Sequence, residues 1–321
     1  MSSPAITSSP FTKAVVGAMR KLYPEALADK SFDNTGLLLE APSRSDSKLS
    51  KSALLTIDLT KAVADEAIKG KHSVVISYHP IIFRPLKSLT LANTQQNSLL
   101  RLASEGISVY SPHTAVDAAP EGLNDWLADI VTGHTAIAKT ASLESHTRRI
   151  INPVPNLQDL HTKFSSAGYG RIVTFAHPQT LSVLVERIME GLSTRRTRDT
   201  SNGVSVSVAT PQTVDAGEQS KIQIKTVGIC AGSGGSMLNG LDVDLLFTGE
   251  LSHHEALAAI EAGRCVVTAF HSNSERAFLE QRMMPALRGM VAQELGGDEA
   301  FRIDVSEFDR DPYRVVTAGE W

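Results

Sequence analysis

The sequence predicts an α/β protein of two lobes, with a mainly parallel sheet flanked by helices and a small α+β insert in the middle. Three observations predict it. Short β-branched runs alternate with helical repeats in the first third, and the same rhythm returns in the last third. A length of 321 residues is also enough to bury more than one core. These observations set the expected domains: 1–141 as an N-terminal α/β lobe, 142–223 as the insert, and 224–321 as a C-terminal α/β lobe that completes a shared site.

The elements follow in order. A Ser/Pro leader precedes an amphipathic helix from about Phe11 to Tyr23; the leader has no acid and carries a faint transit-peptide character. "SFDNTGLLLE" (31–40) reads as an Asx turn at Asp33–Asn34 before an apolar strand. "SALLTIDLT" (52–60) is a strand, and "KAVADEAIKGK" is a helix stopped at Gly70. "HSVVISYHP" is the next strand, closed by Pro80. "NTQQNSLLRLASEG" is a helix with its stop at Gly106, "ISVYSPH" (107–113) a strand, and "EGLNDWLADIV" (121–131) a helix. In the middle, "LQDLHTKFSSAG" and "LSVLVERIMEGL" read as helices, and "GRIVTFAH" and "GVSVSVAT" as strands. "STRRTRDTSNG" and "PQTVDAGEQSK" read as polar loops. The last third brings the strands "IKTVGICAG", "VDLLFTGE" and "CVVTAFHS", the helix "HHEALAAIEAG", and a long helix from Ser274 kinked or split near Pro285. "FRIDVSEFD" closes it as a strand.

Composition excludes several classes. No apolar run approaches the roughly 20 residues of a membrane span. A net charge of −4 argues against a general nucleic-acid surface. Two cysteines, Cys230 and Cys265, make no disulfide framework; they suit a reducing compartment, hence the cytoplasm, with a mitochondrial or nuclear pool left open. There is no G-x-S-x-G, no dinucleotide fingerprint and no P-loop. "AGSGGSML" (231–238) reads either as a backbone cradle for phosphate or sugar or as tight-turn glycines.

The reactive side chains cluster by position. Five strands of the outer thirds end at Asp58, His79, His113, Glu250 and His271, and ligand sites in parallel sheets form outside the carboxyl ends of strands. Two segments share a spacing: Asp117 follows His113 by four residues, and Glu275 follows His271 by four. A carboxylate in the first turn of a helix gains from the helix dipole and can face the same point as an imidazole before it. Imidazole with carboxylate is the donor mix of zinc, manganese or iron. With His79 the set serves one closed site or two ions under a bridging carboxylate, and the alternative is a polar sheet edge with satisfied histidines. Glu250 and His254, in "GELSHHEA", are candidates for proton transfer, Glu250 also for orienting a ligand.

"SFDNTGLLLE", "ISYHPIIFRPLKSLT", "SPHTAVDAAPEGLNDWLA", "AGSGGSML", "LFTGELSHHEAL" and "FHSNSERAFL" occur in this order. Together they resemble the family of Ngg-one-interacting factor three and the bacterial YbgI-like proteins, also catalogued as GTP cyclohydrolase I type 2 homologues. "SYHP" and "EFDRDP" resemble its eukaryotic branch. The resemblance spans Ser31 to about Asp311 and implies a dinuclear metal site in a homo-oligomer, a hexamer or a dimer. It maps the metal ligands onto His79, His113, Asp117, His271 and Glu275. Bacterial members carry a second His where this chain has Tyr78, so the resemblance leaves three outcomes: a weaker second ion, a Tyr78 phenolate ligand, or a single ion. It implies either a metal-dependent, GTP cyclohydrolase-like hydrolase or a metal-stabilised regulator that acts through protein partners such as a transcriptional co-regulator.

Overall fold

The structure is a computed structural model that describes residues 7–43, 48–134, 145–195, 204–316 and 318–319. The leader Met1–Ile6, the boundary expected at 141/142 and most of the Arg-rich loop (196–203) lie outside the described residues. The chain forms two compact units, Met1–Val116 with Leu279–Arg310, and Asp117–Phe278 with Asp311–Trp321. Each unit is built on its own sheet, flanked by helices.

The first unit has β1 (Gly36–Leu39), β2 (Ser52–Thr56), β3 (Val74–Ser77), β4 (Ser108–Ser111) and β11 (Arg302–Val305). Their order is β1-β4-β3-β2-β11, parallel except for β1. β2, β3 and β4 are buried along their whole length, as expected of strands covered on both faces. One layer of core joins Leu54, Val75 and Val109 of these strands to Val63, Ala67, Leu99 and Leu102 of the helices Lys61–Lys69 and Thr94–Glu105. The helix ends follow local chemistry. Asn93 Oδ1 accepts from the N–H groups of Gln95 and Gln96, and Gly106 closes the helix at φ +81°, which only glycine adopts without cost. The helix Pro10–Leu22 starts on the Ser9 hydroxyl and packs against the helix Met284–Glu294.

The second unit has β5 (His146–Pro153), β6 (Gly168–Thr180), β7 (Ser207–Ala209), β8 (Gln223–Ser233), β9 (Leu245–Glu250) and β10 (Cys265–Thr268), in the order β5-β6-β8-β9-β10-β7. Only β8, β9 and β10 run parallel; β5, β6 and β7 join antiparallel. The segment 142–223 thus supplies three strands to the sheet that the last-third strands complete. A buried ion pair anchors this sheet to the helix Leu123–Thr132. Arg171 bonds both oxygens of Asp125, at 2.7 and 3.0 Å, and the carbonyls of Gly168 and Gly170. Burial raises the Asp125 pKa, but the bonds from Arg171 outweigh it and hold the carboxyl below its ordinary range.

One local expectation is corrected, and a second, the split near Pro285, is borne out. "LQDLHTKFSSAG" makes a single 3-10 turn, Thr162–Phe164, because only Phe164, Ala167 and Gly168 of that stretch are buried and no apolar face supports a helix. The long C-terminal helix is split into Asn273–Phe278, a π-helical turn Leu279–Met283 and Met284–Glu294. Pro285 has no N–H for the carbonyl of Gln281, and the turn before it widens.

Candidate metal centre

The expected residues lie just beyond the strands rather than on their last positions, except Glu250, which ends β9. In the first unit, register aligns them. Thr56 of β2 pairs with Ser77 of β3, and Ile76 with Tyr110 of β4. Asp58, His79 and His113 each follow the last residue of their strand by two, so they form a row across three parallel neighbours. β1 runs antiparallel, with Gly36 opposite Ser111, so the residues before β1 return to the same edge and bring Asp33 to His113.

The contacts follow from that row. His79 Nδ1 lies 3.0 Å from Asp58 Oδ1, and His113 Nδ1 lies 2.7 Å from Asp33 Oδ1. The Asp33 side chain is 0% exposed, and its other oxygen accepts from the Thr114 N–H at 3.2 Å and from the Thr114 hydroxyl. Burial raises the Asp33 pKa, but the bonds from His113 and Thr114 outweigh it and keep the carboxyl below its usual range. The sequence reading of Asp33 as an Asx turn is therefore only part of its role. The two imidazoles stand 5.4 Å apart, centre to centre, at a steep angle. Tyr78 is buried beneath them, edge-on to His79 at 5.1 Å and to His113 at 5.6 Å. Its carbonyl accepts from the His113 N–H and the Ser111 hydroxyl, which ties the two loops together. His113 itself sits at φ +31°, an uncommon backbone state for a residue with a Cβ and one that gathers at functional sites.

The second unit repeats the device. His271 Nδ1 lies 2.9 Å from Glu250 Oε1, and its Nε2 lies 3.5 Å from Glu275 Oε1. Glu275 is buried in the first turn of the helix Asn273–Phe278. Phe270, just before His271, has φ +65°. Ser274 is wholly buried; its hydroxyl donates to the His271 carbonyl at 2.7 Å and accepts from the Gly232 N–H at 2.9 Å. Gly232 lies at a register shift between β8 and β9, at φ +61°. A Cβ there would stand 2.9 Å from Glu275 Oε1 and 3.0 Å from His271 Nε2, so the missing side chain leaves a notch between two potential ligand atoms. Asp117 enters this neighbourhood through Asn124. That buried side chain donates to the Asp117 carbonyl and accepts from the Ala231 N–H. Burial first, and then the charges of Asp117 and Glu275, push the Cys230 thiol up, so it stays an unreactive core group. His254 stands on the exposed first turn of the helix His253–Glu261, its ring 5.2 Å from that of His253.

The glycines of "AGSGGSML" answer to packing. A Cβ on Gly234 would strike Thr248 and one on Gly235 would strike Glu255, and the helix after them has four residues, Gly235–Leu238. Asn124, Ser274, and the roles of Asp33 as partner of His113 and of Gly232 as a notch were not read from sequence. The signal that could have found Asp33 is its place three residues before a strand antiparallel to β4.

All three candidate ligand imidazoles thus have Nδ1 on a carboxylate. That contact fixes the Nδ1–H tautomer and puts the lone pair on Nε2, the arrangement that metal-ligating histidines adopt. The notch at Gly232 and the donor chemistry beside it fit a divalent transition metal.

The family model "Duf34/NIF3 (NGG1p interacting factor 3)" matches residues 11–312. The chain belongs to the Duf34/NIF3 family. It is 43% identical to "Protein NIF3 homolog" of Schizosaccharomyces pombe over 317 residues, covering 98% of this chain and all of the relative. It is 37% identical to "NGG1-interacting factor 3" of Saccharomyces cerevisiae, again over 98% of this chain and all of the relative. Among solved structures, a Bacillus cereus protein related to NIF3 shares the fold, with a TM-score of 0.67 at 18% identity, covering 95% of this chain and 98% of that one. The NIF3 fold of two helix-flanked sheets is the α/β architecture expected from the sequence.

Proposed function

We propose that this NIF3 protein binds a divalent transition metal, zinc, manganese or iron, through His79, His113, His271, Asp117 and Glu275, with one or two ions per chain. The observation that carries the proposal is the carboxylate on Nδ1 of all three imidazoles, from Asp58, Asp33 and Glu250. The family resemblance carried by the sequence motifs implies the same ligand set. A bound ion of this kind supplies Lewis acidity for hydrolysis. Glu250 orients His271, and Glu250 or His254 is the group that would carry a proton. Tyr78 is buried and edge-on to both imidazoles, which favours a wall over a ligand.

Elemental analysis of the purified chain tests this. The expected result is one or two transition-metal ions per chain, lost in His113→Ala and in His271→Ala while the fold persists by circular dichroism. A chain with no transition metal after expression in metal-supplemented medium would overturn the proposal. Tyr78→His is expected to raise the count where wild type holds one ion.

A second reading, action through protein partners, rests on the S. cerevisiae relative, whose name records an interaction with NGG1. Partner capture unaffected by His271→Ala would favour it over a metal-dependent reaction. A homo-oligomer, as the family resemblance implies, is measured by light scattering. Among the described residues, no helix is long and apolar enough to cross a membrane.

A further inference from the structure

A cavity of about 390 Å³ opens beside His271 within the second unit. It lies within the size range of small-ligand pockets. Its chemistry is one-sided. Glu250 and Asp311 bring carboxylates, Ser207 and Thr268 bring hydroxyls, and Phe270 and Tyr313 bring aromatic rings; among the described residues no Lys or Arg lines it. A phosphate would meet two carboxylates there and no fixed cation, so the cavity is unsuited to the anionic end of a nucleotide or sugar phosphate.

The carboxylates have acceptor capacity beyond their internal bonds. Asp311 accepts from the Ser272 hydroxyl at 2.7 Å and from the Tyr313 N–H at 2.9 Å. Glu250 accepts from His271 Nδ1 and is 53% exposed. Each carboxylate offers about four acceptor positions. The bonds to Asp311 hold it, and with it the turn carrying Tyr313, to the segment just after His271. Tyr313 is 74% exposed, a large aromatic surface at the cavity's edge. Rings with N–H donors on one edge satisfy both features, a flat face for the aromatic walls and donors for the acceptors.

We propose that this pocket binds a flat, amino-substituted nitrogen heteroaromatic ring, with its amino edge on Asp311 and Glu250 and its face against Phe270 and Tyr313. The pocket then presents the substrate next to His271. The substrate role rests on the metal-site reading above, whereas ring binding does not, and the test separates the two.

The probes are 2-aminopyrimidine and pyrimidine, followed by ligand-observed NMR on the full chain, both as purified and after chelator treatment. 2-Aminopyrimidine is expected to bind about tenfold more tightly than pyrimidine, the value of a hydrogen bond to a charged acceptor. Asp311→Asn is expected to abolish that advantage, and Tyr313→Ala to weaken both probes. Ser272 and the Tyr313 N–H bond different oxygens of Asp311, so asparagine keeps one acceptor, for the Tyr313 N–H, and turns an amide N–H toward the Ser272 hydroxyl; melting curves check that the variant is folded. If it is not, the probe pair on wild type and Tyr313→Ala decide. Equal binding of the two probes, no binding, or displacement of 2-aminopyrimidine by inorganic phosphate overturns the inference, and normal metal content in that sample leaves the metal site standing. Selective binding by a chain that holds no metal as purified from metal-supplemented medium supports the pocket and removes the metal reading, whereas selective binding that survives chelator treatment of a metal-loaded chain supports the pocket and leaves the metal site standing.

Discussion

His113 in the first unit and His271 in the second are gripped by the same contact in opposite surroundings, with the partly exposed His79–Asp58 pair between these extremes. In the first, Asp33 holds His113 with a side chain that is 0% exposed and is also bonded to Thr114. In the second, Glu250 holds His271 with both groups largely in solvent, at 53% and 38% exposure. A carboxylate that is buried and shared among several donors is part of the fold, and removing it strands those donors. An exposed carboxylate is screened by water, contributes little to stability, and can exchange partners. The first grip therefore serves architecture as well as orientation, and the second serves orientation alone.

That contrast yields its largest expected effect in Asp33→Ala. It leaves the Thr114 N–H and hydroxyl and His113 Nδ1 without their acceptor, and should cost about 3 kcal/mol of stability by urea or thermal unfolding. A loss below about 1 kcal/mol would break the distinction between the grips. The same buried carboxylates set an acid limit. The Asp33 and Asp125 pKa values are lowered in the folded chain, so their contribution is complete above the unfolded-state value of about 4 and is lost as pH falls through the lowered folded values. Melting temperature should therefore drop below about pH 4, and more gently in Asp33→Asn, which no longer titrates.

Gly232→Ala comes next. The new Cβ occupies the notch at Glu275 and His271 in a left-handed backbone state, for a cost of about 1–2 kcal/mol and loss of bound metal. Full metal content in that variant would show that the notch has no part in binding. Glu250→Gln should have the smallest effect on stability, within about 0.5 kcal/mol. Metal affinity should nonetheless fall about tenfold or more, since the neutral amide orients and polarises the imidazole less well. A chelator competition titration measures it, and an affinity equal to wild type would reduce Glu250 to a surface contact.

Much of this was legible from sequence because it depends on neighbours along the chain. The alternation of β-branched runs with capped helices located most strands of both units to within a few residues, but missed β5 (His146–Pro153), an edge strand with no buried residue, two Arg and little apolar alternation. The stops at Gly70 and Gly106 and the break near Pro285 follow from glycine's freedom and proline's missing N–H. The four-residue spacings His113–Asp117 and His271–Glu275 drew attention to two loops in which an imidazole meets a carboxylate, His113 with Asp33 and His271 with Glu250 and Glu275. The helix expected at Leu157–Gly168 failed because helical propensity without a buried face does not hold so short a segment.

The sequence by itself determined the residue types available at each strand end, the positions where the chain must turn, and the imidazole and carboxylate donors. Tertiary structure alone decided which carboxylate meets which imidazole. Asp33 reaches His113 because β1 runs antiparallel to β4, and Asp58 reaches His79 because β2 and β3 pair in register. Glu250 reaches His271 from the end of the neighbouring parallel strand. The bare Cα of Gly232 matters only because a register shift carries it between Glu275 and His271. Strand pairing is a long-range choice, made by the burial of whole strands, and local sequence does not encode it.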